Sequence, residues 1–183
     1  MKKQKQLDIT NPKSIARMID YLEDYKKTLK EQCLQFCNEL ADLGIKTALV
    51  STVGNELADY VVFSKELVSQ NDSECTMIMF GRDIGHVFGD GIDAAEISPI
   101  LMLEYGSGSN GVPFRIVDDL AVGQGTFPGQ KHAFDPNGWW YKSKRDNAWH
   151  HSYGEHPQYP MQHAYDLMQT QVNSIARRIF RLP

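Results

Sequence analysis

The sequence predicts an α+β protein: an antiparallel sheet flanked by a long N-terminal helix and a C-terminal helix. Three observations carry that expectation. Apolar residues recur at intervals of three or four from Ile15 to Leu43, two later stretches read as hairpins, and no strand–helix–strand alternation of the kind a parallel sheet needs is present. A chain of 183 residues that is 42% hydrophobic suits one domain with a real core, here taken as residues 1–183.

The first helix is expected from about Pro12 to Leu43. Ile15, Met18, Leu22, Tyr25, Leu29, Cys33, Phe36, Leu40 and Leu43 fall on one stripe. Thr10 or Asn11 can cap it, Pro12 suits its first position, and Gly44 is the natural left-handed stop. Roughly 32 residues at ~1.5 Å each make a rod of ~48 Å, longer than a domain of this size needs. Part of the stripe is therefore expected to be covered by another subunit.

Asp59 to Val68 is β-branched and partly alternating, Asn71-Asp72-Ser73 supplies a turn, and Glu74 to Phe80 returns as a second apolar run. Together they predict an antiparallel hairpin. Ser98-Pro99, then ILMLEY, then Gly106 read as cap, first turn and stop of a short helix, with a strand as the alternative. From Gly106 to Gly138 lie seven of the 14 glycines and no sustained period, apart from a possible short strand at Phe114–Val117. A stretch of this kind within one domain reads as a functional insertion. Trp139–Lys142 and Ala148–His151 predict a second, aromatic hairpin around a turn at Ser143–Asn147. The closing helix is expected from about Met161 to Phe180, with Met161, Ala164, Met168, Val172, Ile175 and Ile179 on its apolar stripe.

Composition narrows function. A net charge of −4 lacks the clustered cations that grip phosphate, and the Lys2–Lys5 and Arg177–Arg181 groups read as solvated ends. No apolar run approaches the ~20 residues of a membrane helix, and no apolar stretch follows the charged start as a secretory signal would require. Three cysteines do not make a disulfide scaffold, so the expectation is a soluble, reduced, cytoplasmically assembled chain. Cys33 and Cys37, four apart, share a helix face as small buried hydrophobes, and Cys75 packs within its strand.

Gly106, Gly108 and Gly111 form a nominal G-x-G-x-x-G, but Val112-Pro113-Phe114-Arg115 does not read as the helix a pyrophosphate needs. Asp118 and Asp119 come too early for a ribose contact. No cofactor is expected. Five of six histidines come late (His132, His150, His151, His156, His163), with His86 apart, and none of their spacings is a recognised ligand motif. A metal-dependent hydrolase assembled from them with Asp90, Asp93 or Glu104 is the alternative function. No Ser–His–Asp order, P-loop or zincin motif supports catalysis. All three tryptophans lie between positions 139 and 149, and the adjacent Trp139 and Trp140 project oppositely from a regular strand. One is expected on an outer face that meets another subunit.

The order of these features resembles the tail-component (neck, head–tail joining) proteins of long-tailed double-stranded-DNA bacteriophages. The residues that carry the resemblance are the long helix, Glu104-Tyr105-Gly106-Ser107-Gly108 after a short apolar segment, the glycine-rich insertion, the Trp hairpin, and Gly154 to Pro160-Met161 before the last helix. The family commonly has Thr where Ser107 stands, and the insertion at about 106–138 matches no pattern in it. The resemblance implies a barrel-like core flanked by helices and a non-enzymatic virion protein. That protein forms a ring, hexameric in many relatives, between the head connector and the tail tube or terminator. The implied interface residues are Glu104, Tyr105, Gly106, Gly108, Trp139, Trp140, Trp149, Pro160 and Met161, with no metal. A sixfold ring would carry about −24, which suits a lumen that DNA slides through without binding. The long-helix stripe and the 139–149 hairpin are the expected ring contacts, and the insertion is expected to reach a neighbouring ring. Tube or minor tail component is a further alternative.

Overall fold

A computed structural model describes residues 8–71, 74–84, 98–108, 110–111, 123–124, 137–142 and 146–181, with 123–124 and 139–142 as backbone. The expected strand at Phe114–Val117 lies outside these residues, as do His86, Asp90, Asp93, His132 and most of the 106–138 insertion. No described helix is long and apolar enough to cross a membrane.

Helix α1 spans Pro12–Ser51. Asn11 caps it, its side-chain oxygen accepting from the Lys13 amide at 3.0 Å. The expected stop at Gly44 is wrong: the helix runs on for seven residues beyond it. Tertiary packing overrides the local signal. A Cβ on Gly44 would come within 2.5 Å of the Met79 sulfur and 2.8 Å of the Met168 sulfur. Gly44 is thus where neighbouring elements press closest to the helix axis, and the fully buried Ala48 follows on the same face. The helix ends at Thr52, and the left-handed glycine that follows is Gly54, at φ +84°. At ~1.5 Å per residue α1 is ~60 Å long.

A single 3-10 turn, Glu56–Tyr60, is capped by Asn55 and feeds the first hairpin. Strands β1 (Val61–Gln70) and β2 (Cys75–Asp83) pair antiparallel, Val61 opposite Asp83 and Lys65 opposite Met79, with a bulge between Leu67 and Ser69. Val61 and Phe63, two apart, point to the core. Helix α2 (Pro99–Tyr105) settles the helix-or-strand question: the Ser98 hydroxyl accepts from the Leu101 amide, and Gly106 ends the helix at φ +69°. Asp83 fastens α2 to the end of β2 by accepting from the Ile100 amide at 2.8 Å.

The short strands β3 (Ser107–Gly108) and β4 (Gly123–Gln124) pair in parallel, and β5 (Trp139–Lys142) pairs antiparallel with β6 (Trp149–Ser152). Helix α3 closes the chain over Pro160–Phe180. The barrel-like core that was expected is not formed among the described residues. Their strands pair two by two in three separate ladders, and ladders of two and four residues are too short to close on the first hairpin.

The core gathers Ala48, Val61, Phe63, Leu103 and Ala164, with Ile45, Leu57, Met79, Ile100 and Met161 packed around them. It therefore sits where the C-terminal half of α1, the first hairpin, α2 and the start of α3 meet. Helices α1 and α3 run antiparallel. Ser51 meets His163 at 3.1 Å at one end, and at the other the Gln32 side chain donates to the Ile179 carbonyl at 2.9 Å. Beside it the Phe36 and Phe180 rings pack 5.8 Å apart, and Arg178 pairs with Glu39. A helix of 21 residues covers only about half of one of 40. The first turns of α1 run past the end of α3.

Candidate functional site

Two regions carry the residues singled out by sequence. In the first, the Glu104-Tyr105-Gly106-Ser107-Gly108 segment is laced to the Gly154–Gln162 turn. α3 begins at Tyr159-Pro160 with no side-chain cap of its own, and Tyr159 is held in a left-handed conformation at φ 51°. The Glu104 carboxylate supplies the cap from across the molecule, accepting from the Met161 amide at 2.8 Å and the Gln162 amide at 3.1 Å. Glu104 is 8% exposed, so a buried negative charge is answered by two free N–H groups and the positive end of a helix dipole. One residue back, the Leu103 carbonyl accepts from the amides of Gln158 and Tyr159.

Ser107 completes the lacing. Its amide donates to the Glu155 carbonyl at 2.9 Å, and its hydroxyl accepts from the Glu155 amide at 3.0 Å. Asn55 in turn donates to the Glu155 carboxylate, bringing the cap of the Glu56–Tyr60 turn into the same junction. The glycines are what allow so close a crossing. A Cβ on Gly106 would meet the Glu155 carbonyl oxygen at 2.6 Å, and one on Gly154, at φ +97°, would fall on the Ser107 carbonyl. Glu104, Gly106, Gly108, Pro160 and Met161 are thereby brought together inside one chain, with Tyr105 half-buried beside them. The Glu104–Gly108 segment and the turn that leads from Gly154 to Met161 are thus in contact.

The second region is surface. On the first turns of α1, Ile15, Ile19, Leu22 and Tyr25 are 39–57% exposed. Spaced by four, three and three, they form one apolar stripe on an arm that α3 does not reach. Trp149 is 65% exposed on β6. The backbones of Trp139 and Trp140 lie on β5 opposite Ser152 and His151, and the expected outward side chain of one of them lies outside the described residues. Ile19 also fits the three-four spacing between Ile15 and Leu22, and a series that steps through Met18 instead passes over it. Glu104 was grouped with the interface, whereas its cap role had one local signal: a helix start with no Ser, Thr, Asp or Asn before it.

The histidines go to separate partners. His150 lies 2.8 Å from Asp146, the His151 ring stacks edge-on against Tyr153 at 4.6 Å, and His163 meets Ser51 and Tyr159. Among the described residues no group of three or more His, Cys, Asp or Glu is placed to hold a metal ion. The Cys37 thiol donates to the Cys75 carbonyl at 3.6 Å. Burial, with Cys75 alongside, pushes its pKa up to about 11, the setting of a packed thiol rather than a nucleophile.

Comparison with known protein families, with curated proteins and with solved structures finds no match to this chain.

Proposed function

We propose that this chain is a structural subunit that works by self-assembly. Its most specific form is a ring protein of a bacteriophage head–tail junction, lying between head connector and tail tube or terminator, with DNA passing through the lumen unbound. The observation that carries the reading is the α1 arm: four large apolar side chains in a row on a helix face that the rest of the described fold leaves open. Monomeric proteins seldom leave a contiguous apolar stripe in water, and one borne on a projecting helix suits a subunit interface.

The exposed Trp149 on the second hairpin offers a second surface, and ring closure needs two different patches per subunit. Glu104, Ser107 and the junction glycines serve the assembly indirectly in this reading, by fixing the hairpin strand β6 against the start of α3. The overall charge of −4 suits a channel that does not hold DNA. The placement in a virion rests on the order of motifs in the sequence. Negative-stain microscopy of the purified chain is the test. Rings with a central hole are expected, and a field of single particles at high concentration would overturn the reading.

A further inference from the structure

We propose that Cys37 and Cys75 form an oxidisable pair, which hydrogen peroxide joins as a disulfide that staples the first hairpin to α1. The pair lies in the seam between those two elements and is independent of the self-assembly reading.

The two cysteines enter the seam from opposite sides. On β2 the residues Cys75, Met77 and Met79 are half-buried, while Thr76 and Ile78 between them face solvent. Met79 marks what the half-buried face meets, since a Cβ on Gly44 would lie 2.5 Å from its sulfur. On α1, Cys37, Ala41, Gly44 and Ala48 are spaced by four, three and four and so share that side of the helix. Ala41, Gly44 and Ala48 are buried, and a face of such small residues lets the hairpin lie close. Gln70 holds the hairpin tip there by donating to the Lys30 carbonyl at 3.1 Å, and Lys65 pairs with Asp42 at 2.7 Å. Within this seam the Cys37 thiol donates to the Cys75 carbonyl at 3.6 Å, so its sulfur already touches the residue it would bond.

Helix geometry sets the third thiol aside. Cys33 and Cys37, one turn apart on a straight helix, hold their Cβ atoms about 5–6 Å from each other. A disulfide needs about 3.5–4.5 Å. Against Cys75, the thiol in hydrogen-bond contact is that of Cys37.

Burial, with Cys75 alongside, keeps the proton on Cys37, so Cys75 is the sulfur that reacts first. Its thiolate attacks peroxide, the O–O bond breaks, and Cys75 becomes a sulfenic acid as hydroxide leaves and takes up the proton Cys75 gave away. The Cys37 sulfur then attacks the Cys75 sulfur. The S–S bond forms as the S–O bond breaks, and the departing hydroxide removes the Cys37 proton as water. Two thiols have given two electrons to one peroxide, which ends as two waters. Contact supplies through proximity what Cys37 lacks in acidity. The same weak acidity makes Cys37 a slow leaving group, so the staple should resist reduction once made.

The test exposes the folded, full-length chain to a small excess of hydrogen peroxide, blocks the remaining thiols with iodoacetamide, and maps disulfides by mass spectrometry. A Cys37–Cys75 link within one chain is expected, formed at least about tenfold more readily than in urea-unfolded chain. It closes a loop of about 40 residues, so the melting temperature should rise by at least about 5 °C and fall back on reduction with dithiothreitol. Cys33→Ser should leave both results intact, whereas Cys37→Ser and Cys75→Ser should lose both. A main product linked through Cys33, a link between chains, over-oxidation of Cys75 without a bridge, or a bridge that leaves melting unchanged would each overturn the proposal. The parent chain and Cys33→Ser decide the matter even where a serine at 37 or 75 fails to fold.

Discussion

The Glu104 carboxylate closes the N-terminus of α3, 2.8 Å from the Met161 amide and 3.1 Å from that of Gln162. Glu104→Ala would strand both N–H groups at a buried helix start, with an expected loss of about 2–4 kcal/mol. Glu104→Gln keeps an acceptor oxygen and loses the charge, so about 1 kcal/mol should go. Urea unfolding of the two variants checks the order. An alanine variant as stable as the glutamine one would show that the cap does not hold α3.

Two glycines at positive φ separate backbone strain from collision. Gly54, at φ +84°, has open space where a Cβ would go, and Gly154, at φ +97°, has the Ser107 carbonyl there. Gly54→Ala should cost about 1 kcal/mol, the left-handed penalty alone. Gly154→Ala should cost at least about 2 kcal/mol more, because the Ser107–Glu155 hydrogen bonds must open to make room. Thermal unfolding followed by circular dichroism reads both, and equal losses would mean that the junction yields freely.

Most of the local structure was legible, because it depends on signals a few residues apart. Asn11-Pro12, Ser98-Pro99 and Gly106 mark helix ends and act as such. The two hairpins follow their alternation and turn residues. What was not legible depends on distance. Gly44 carries the same local signal as Gly54, yet Met79 and Met168, far along the chain, turn it into a point of close packing. Glu104 has partners 57 and 58 residues away, and only the uncapped start at Tyr159 hints that something must fill that place. The barrel-like core, implied by the resemblance alone, is not formed among the described residues, and alternation within a strand says nothing of which strand it will lie beside.

Cys37 gives a pH dependence of defined sign. Its pKa is raised to about 11, chiefly by burial and then by Cys75, so the folded state holds the proton more tightly than the unfolded chain does. The associated stability is full below pH ~8.5, where an unfolded thiol is still protonated. It then falls as the pH rises towards 11. Cys37→Ala should flatten that fall in a series of unfolding curves between pH 8 and 11. In the native protein at pH 8, iodoacetamide should alkylate Cys37 at least tenfold more slowly than in urea-unfolded chain. Labelling at the unfolded rate would mean the thiol is open to solvent.

The two halves of α1 should answer mutation differently, because α3 covers only one of them. Phe36 packs against the Phe180 ring, while Leu22, on the same sequence stripe, is 55% exposed. Phe36→Ala removes a ring from the α1–α3 contact and should cost about 2–3 kcal/mol. Leu22→Ala, at an exposed position, has little packing to lose among the described residues, so in dilute solution its stability should stay within about 0.5 kcal/mol of the parent. Raising the concentration should then stabilise the parent over Leu22→Ala, since association favours the folded state by mass action. A concentration-independent loss in Leu22→Ala as large as that in Phe36→Ala would place the arm inside the fold and remove the surface on which self-assembly rests.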